Sequence, residues 1–151
     1  MIRKSILFSF AFVLIALCNS SCSNGLLDGD WPSMEWQKAA TEKVKVNGAT
    51  WYHIPKQGGT CQFKCKNYKG FWISHVRLAT TPGDGNAEYL YPEMKEGSVT
   101  DYQNLSADGL KVSIEGNTLN VTFDENQGPA KYVEVCVTGG DIFDSFLFVQ
   151  D

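Results

Sequence analysis

Basic residues are few and scattered: 13 Lys and Arg stand against 17 Asp and Glu, for a formal net charge of -4 and a pI near 5.1. Binding to a phosphate backbone rests on clustered cations that release counterions, so the composition argues against nucleic acid as a partner, and against a polyanionic ligand with it. Only 2 histidines occur, His53 and His75. They offer no H-x-x-x-H pair, and no C-x-x-C knuckle is present, so no metal site is expected. A nucleophile elbow, a phosphate loop and a dinucleotide fingerprint are missing too, and no cofactor is expected. Asp124-Glu125 and the pair Glu93/Glu96 could hydrolyse a glycoside only if two carboxylates stood about 5 to 9.5 Å apart across a cleft. Adjacent acids at a turn are ordinarily solvated, so no catalytic residue is assigned and the chain reads as a non-enzyme. Asp84-Gly85-Asn86-Ala87-Glu88 places oxygen ligands at alternate positions, but the rest of a calcium loop is absent and a plain surface turn is the simpler reading.

Long apolar runs are also scarce. One opens the chain, from Ser5 to Leu17 behind Arg3 and Lys4, too short to cross a membrane by itself and shaped like the apolar region of a targeting segment. The next stretch, Cys18-Asn19-Ser20-Ser21-Cys22-Ser23-Asn24, resembles a bacterial lipoprotein signal, in which a small residue precedes the cysteine that takes the lipid. Ser21 before Cys22 fits that pattern and Leu17 before Cys18 does not, so Cys22 is the lipidation site implied. Asn19 departs from the usual aliphatic residue, which leaves plain secretion as the alternative. The expected organisation is a signal peptide over 1-21, a lipid-anchored tether over 22-36 and a β-sandwich domain over 37-151, held at the cell envelope through the lipid. Trp31 and Trp36 are unusual in a linker and are expected to pack on the edge of the domain.

Three cysteines then remain for the domain, Cys61, Cys65 and Cys136, an odd number that cannot all pair. Cys61 and Cys65, four apart in a strand, are separated by about 13 Å at roughly 3.3 Å per residue, beyond the reach of about 7 Å that a disulfide tolerates. Buried thiols acting as small hydrophobes are expected.

What is abundant is alternation. Leu110-Lys-Val-Ser-Ile114 and Leu119-Asn-Val-Thr-Phe123 are apolar at every second residue around the turn Glu115-Gly116-Asn117, and Tyr132 to Val137 repeats the period with Val133, Val135 and Val137 inward before Gly139-Gly140 turns the chain into Ile142 to Val149. Upstream, Lys43 to Val46 meets Asn47-Gly48, a strong hairpin signal, and Ala49 to Ile54 comes next. Cys61, Phe63 and Cys65 share one face of the next strand, and Gln62, Lys64 and Lys66 the other. Over Phe71 to Ala79 two parities compete: Trp72 with Ser74, Val76 and Leu78, or Phe71 with Ile73 and His75. Strands in succession joined by short Gly/Asn turns predict an all-β, antiparallel sandwich of about seven strands.

From 80 to 108 the strand signal lapses into one long insertion, and long loops in small domains often carry function. Tyr89, Tyr91 and Tyr102 can cover the flat C–H faces of sugar rings while Asp101, Gln103 and Asn104 bind hydroxyls, which makes these six residues the candidate ligand site. The competing expectation is that the tyrosines only pack the insertion down. A glycan module should present an aromatic row on an exposed strand or loop, whereas a spacer should spend its aromatics in the core.

Gly58-Gly59-Thr60 before the strand carrying Phe63 and Cys65, Trp72 near the next strand, Leu110-Lys-Val-Ser-Ile with Gly116-Asn-Thr-Leu-Asn-Val121, Asn126-Gln-Gly-Pro129 and the final Phe148-Val149-Gln150 resemble the BACON domain, the Bacteroidetes-associated carbohydrate-binding often N-terminal module, over Lys43 to Asp151. The resemblance implies an immunoglobulin-like sandwich in a surface or secreted lipoprotein, with a polysaccharide or an envelope protein as partner. The insertion and the lack of an accompanying enzyme module depart from the family pattern.

Overall fold

The structure is a computed structural model and describes residues 31-93 and 102-151. Ten strands run through them: β1 (Lys43–Val46), β2 (Ala49–Ile54), β3 (Gly59–Lys64), β4 (Trp72–Ala79), β5 (Glu88–Leu90), β6 (Asn104–Ala107), β7 (Leu110–Glu115), β8 (Thr118–Phe123), β9 (Lys131–Thr138) and β10 (Phe143–Gln150). They form a six-stranded sheet in the order β1-β2-β10-β9-β4-β5 and a four-stranded sheet in the order β3-β8-β7-β6. All named pairings are antiparallel except β2 with β10, which is parallel. The all-β sandwich read from the alternation is what the chain forms, with ten strands where about seven were expected. The β7–β8 hairpin belongs to the four-stranded sheet and the β9–β10 hairpin to the other, so the two most regular stretches of sequence supply the middle of both layers.

The inward residues interdigitate through an aromatic centre. The Phe63 ring of β3 lies 4.4 Å from Phe146, 4.9 Å from Tyr52 and 5.9 Å from Phe148, all across the sandwich, and Phe123 of β8 lies 5.4 Å from Phe148. Such tilted and edge-on pairs add to the burial of apolar area that holds the sheets together. Cys61, Cys65 and Cys136 are free and buried. Burial pushes the thiols of Cys61 and Cys136 up, opposed at Cys61 by a hydrogen bond with Thr41 and at Cys136 by hydrogen bonds with Ser145 and Ser74.

The two parities that compete over Phe71 to Ala79 are both used. Phe71 and Ile73 are buried, and so is Val76. The strand changes parity because Ile73 pairs with Val137 while His75 pairs with the next residue back, Cys136, leaving Ser74 as the extra residue of a β-bulge. Trp72 therefore points away from the core and is exposed, so that the first half of the strand follows the parity of Phe71 and Ile73.

The segment 80-108 is likewise not a loop outside the sheets. It contributes β5 to the edge of one and β6 to the edge of the other, strands of three and four residues, too short to show a period in sequence. Asp108 (φ 49) and Gly109 (φ 74) make the tight turn that joins β6 to β7. Just before β6 the chain crosses between layers: Ile73 N of β4 donates to Tyr102 O at 2.8 Å, and Ile114 N of β7 donates to Gln103 O at 2.9 Å. These two bonds fasten one side of the sandwich.

The opposite side is fastened by the end of the segment read from sequence as tether, Met34 to Trp36, together with Gln37. Met34 is buried in the core, Trp36 bridges to Cys65, Gln37 N donates to Lys64 O at 2.9 Å and Lys66 N to Glu35 O at 2.7 Å. The Trp36 ring stands edge-on to Phe71 and Phe146, and its Nε1 donates to Asp144 Oδ2 at 2.6 Å. Trp36 thus packs on the sandwich edge as expected, while Trp31 is exposed.

Candidate ligand-binding face

The two outer faces of the sandwich differ in kind. On the four-stranded sheet the outward residues are polar and engage one another. Gln62, Asn120, Ser113 and Asn104 stand in one cross-strand row, in which Gln62 Nε2 donates to Asn120 Oδ1 at 2.9 Å; Thr60 and Thr122 hydroxyls meet at 2.9 Å in the next. This face satisfies itself.

The six-stranded sheet turns aromatic rings outward. Because Ile73, Val137 and the inward valines of β9 occupy the core, Trp72 and His75 of β4, Thr138 and Cys136 of β9, and Phe143 and Ser145 of β10 take the outer side. At the edge, Tyr89 of β5 and Tyr91 just beyond it flank His75, with ring centroids 5.7 and 6.1 Å from the imidazole. Exposure is 39% for Trp72, 51% for Tyr89, 63% for Tyr91 and 62% for Phe143. Rings that stay this exposed contribute little to the core and remain available for contact.

Polar groups are interleaved with the rings. Ser74 Oγ lies 3.2 Å from His75 Nδ1, a hydrogen bond whose direction depends on the imidazole tautomer. Arg77 is the cross-strand partner of both Tyr89 and Glu134, and its Nη2 donates to Asp84 O at 2.5 Å. Asp84 Oδ1 in turn accepts from Asn86 N at 2.8 Å, the local bond of a surface turn. Glu88 and Leu78, paired across β5 and β4, line a separate cleft of about 400 Å³ whose rim carries Lys131, bonded through Nζ to Asp108 Oδ2 at 3.1 Å. Among the described residues no three of His, Cys, Asp and Glu gather closely enough to hold a metal ion.

The fold brings together some of the residues singled out in sequence and separates others. Tyr89 and Tyr91 meet around His75. Tyr102, 44% exposed, is tied by its carbonyl to Ile73 of β4. Gln103 and Asn104 pass to the four-stranded sheet, the first through its carbonyl on Ile114 and the second as the opening residue of β6. Asp101 and Cys22 lie outside the described residues. Trp51 is buried and stands edge-on to Tyr132. Sequence reasoning missed Trp72, Phe143 and His75 as members of this face. Trp72 was hidden by the bulge, and Phe143, the apolar residue one place after Ile142, gives no sign by itself that it sits beyond the inward period.

No family model and no curated protein matches the chain. Among solved structures it is similar to an NMR structure of a protein from Bacteroides thetaiotaomicron, with 32% sequence identity and a TM-score of 0.57 over 89% of this chain and 96% of that one.

Proposed function

We propose, for a chain that belongs to the same family as this Bacteroides thetaiotaomicron protein, a role as a glycan-binding module of the cell envelope, anchored by a lipid on Cys22. The observation that carries the reading is the asymmetry of the sandwich: the large exposed hydrophobic side chains of β4, β5 and β10 are all aromatic and share the outer side of one sheet, while the other sheet exposes a polar ladder bonded to itself. Aromatic faces take the C–H surface of a pyranose, and Ser74, His75 and Arg77 supply hydrogen-bonding groups at the rims of the rings. The resemblance to BACON domains points the same way. Each stacking contact contributes about 0.5 to 1.5 kcal/mol beyond area burial, so a few of them give roughly micromolar to millimolar affinity. Many anchored copies on one polymer would then raise the apparent affinity through effective concentration.

The test is a polysaccharide screen with the full chain beside a Tyr89→Ala/Tyr91→Ala/Tyr102→Ala variant that keeps the wild-type circular dichroism. Binding at millimolar sugar that the folded variant loses is expected. No binding by the wild type, or equal binding by the variant, would leave the domain as a structural spacer. The anchor is tested separately: Cys22→Ala should abolish lipid labelling, and labelling that persists moves the site to Cys18.

A further inference from the structure

The sheet register extends the aromatic face beyond the tyrosines, and the extension selects a class of ligand. Phe143 of β10 and Trp72 of β4 both pair with the same residue of β9, Thr138. They are therefore two strands apart on one level of the sheet, about 10 Å at the usual interstrand spacing of roughly 4.8 Å. Thr138 does not stand up between them. Its hydroxyl is turned back onto the β9–β10 turn, with Gly140 O at 2.7 Å and Ile142 O at 2.9 Å, and the residue is buried. Two exposed rings thus flank a low floor. One level along, the row Ser145, Cys136 and His75 leads to Tyr91 at the sheet edge.

We infer that this face binds a neutral, unbranched, ribbon-like β-1,4-linked polysaccharide lying across the strands, with Trp72 and Phe143 as a second stacking subsite that sets chain-length preference. In such a ribbon successive units turn over, so the same sugar face returns at every second unit, an advance of the order of the ring spacing derived above. Charge agrees with an uncharged chain. The two levels that carry Phe143, Trp72 and His75 contain no Lys, Arg, Asp or Glu on the outer side, and on the next level Glu134 and Arg77 are cross-strand partners. Among the described residues a uronate or sulfate would find no cation on these two levels and would be desolvated against the rings at a cost.

The inference rests on the glycan reading above, and the experiment separates the two. Calorimetric titrations of the full chain use cello-, manno- and xylo-oligosaccharides from disaccharide to hexasaccharide, with a polygalacturonate fragment as the anionic arm. For at least one neutral series the hexasaccharide should bind about fivefold to tenfold more tightly than the disaccharide, the gain of one or two added stacking contacts. Trp72→Ala and Phe143→Ala, both at exposed positions and checked for an unchanged melting temperature, should erase that length preference, whereas Tyr89→Ala/Tyr91→Ala should weaken every length. Trp72→Phe should restore most of the preference lost in Trp72→Ala. Equal affinity for all lengths, an unaltered preference in Trp72→Ala and Phe143→Ala, or stronger binding of the anionic fragment overturns the extended neutral subsite while leaving the tyrosine site standing. Loss of disaccharide binding only through Trp72 and Phe143, with the tyrosine variant unaffected, overturns the tyrosine site instead.

Discussion

Ile73 and Val76 point into the same core from one strand although they stand three positions apart, because the bulge at Ser74 inserts one residue between their pairings with Val137 and Val135. Strict alternation would send one of them to solvent.

Deleting Ser74 removes the extra residue and leaves Ile73, His75 and Val76 opposite Val137, Cys136 and Val135 in strict alternation, with both apolar residues still inward. The deletion should therefore cost about 1 kcal/mol or less by urea denaturation, whereas deleting Arg77, which lies past the bulge and would turn Leu78 outward, should cost more than about 2 kcal/mol. A Ser74 deletion as costly as that of Arg77 would mean that the bulge is not what keeps both halves of the strand in register.

Phe63 is the ring on which both sheets converge, almost wholly buried against Tyr52, Phe146 and Phe148. Phe63→Ala should cost about 3 to 5 kcal/mol, a large part of the stability of a domain this size. Thermal unfolding followed by near-ultraviolet dichroism reads it directly, and an unchanged melting temperature is the result that contradicts the described core.

Gly58 turns the chain into β3 at φ +82, and a Cβ there would fall 2.2 Å from Phe123 O and 2.8 Å from Asp124 C and O, all backbone atoms that cannot step aside. Gly140 has a similar φ of +87 with nothing within 4 Å. Gly140→Ala should therefore show the conformational penalty alone, of the order of 1 kcal/mol, and Gly58→Ala distinctly more. Indistinguishable melting temperatures for the two would refute the close approach of β8 to this turn.

His53 is held between two carboxylates, with Nε2 2.9 Å from Asp151 Oδ2 and Nδ1 3.4 Å from Glu42 Oε2. Its pKa is raised above the ordinary 6.5, first by the hydrogen bond to Asp151, with partial burial opposing and the two negative charges and the Glu42 bond adding to the rise. A raised folded-state pKa means that the folded protein binds the proton more tightly than the unfolded chain. The contribution is therefore complete below the unfolded value and fades as pH climbs through the folded one. The stability difference between wild type and His53→Gln should be largest below about pH 6 and shrink toward pH 9. A difference that grows with pH is the outcome that sinks this assignment.

The amino-acid sequence by itself determined the class of the fold and the inward residues of most strands. Val112, Val121, Val133 and Phe63 could be placed because a half-buried strand must alternate, and that requirement is local to the strand. Spacing excluded a bond between Cys61 and Cys65 and an odd number left at least one thiol unpaired, while the fold shows all three free and buried. Only the tertiary structure decided which strands became neighbours. The bulge in β4 depends on how Ile73 and His75 meet β9. The edge strands β5 and β6 are too short to show a period, and they exist because a partner offers open backbone groups. The face obeys the same rule: Tyr89 and Tyr91 were visible as a pair two apart, whereas Trp72 and Phe143 come within two strands of each other through a common pairing with Thr138. Cross-strand register is a relation between distant parts of the chain, and no window along the sequence contains it.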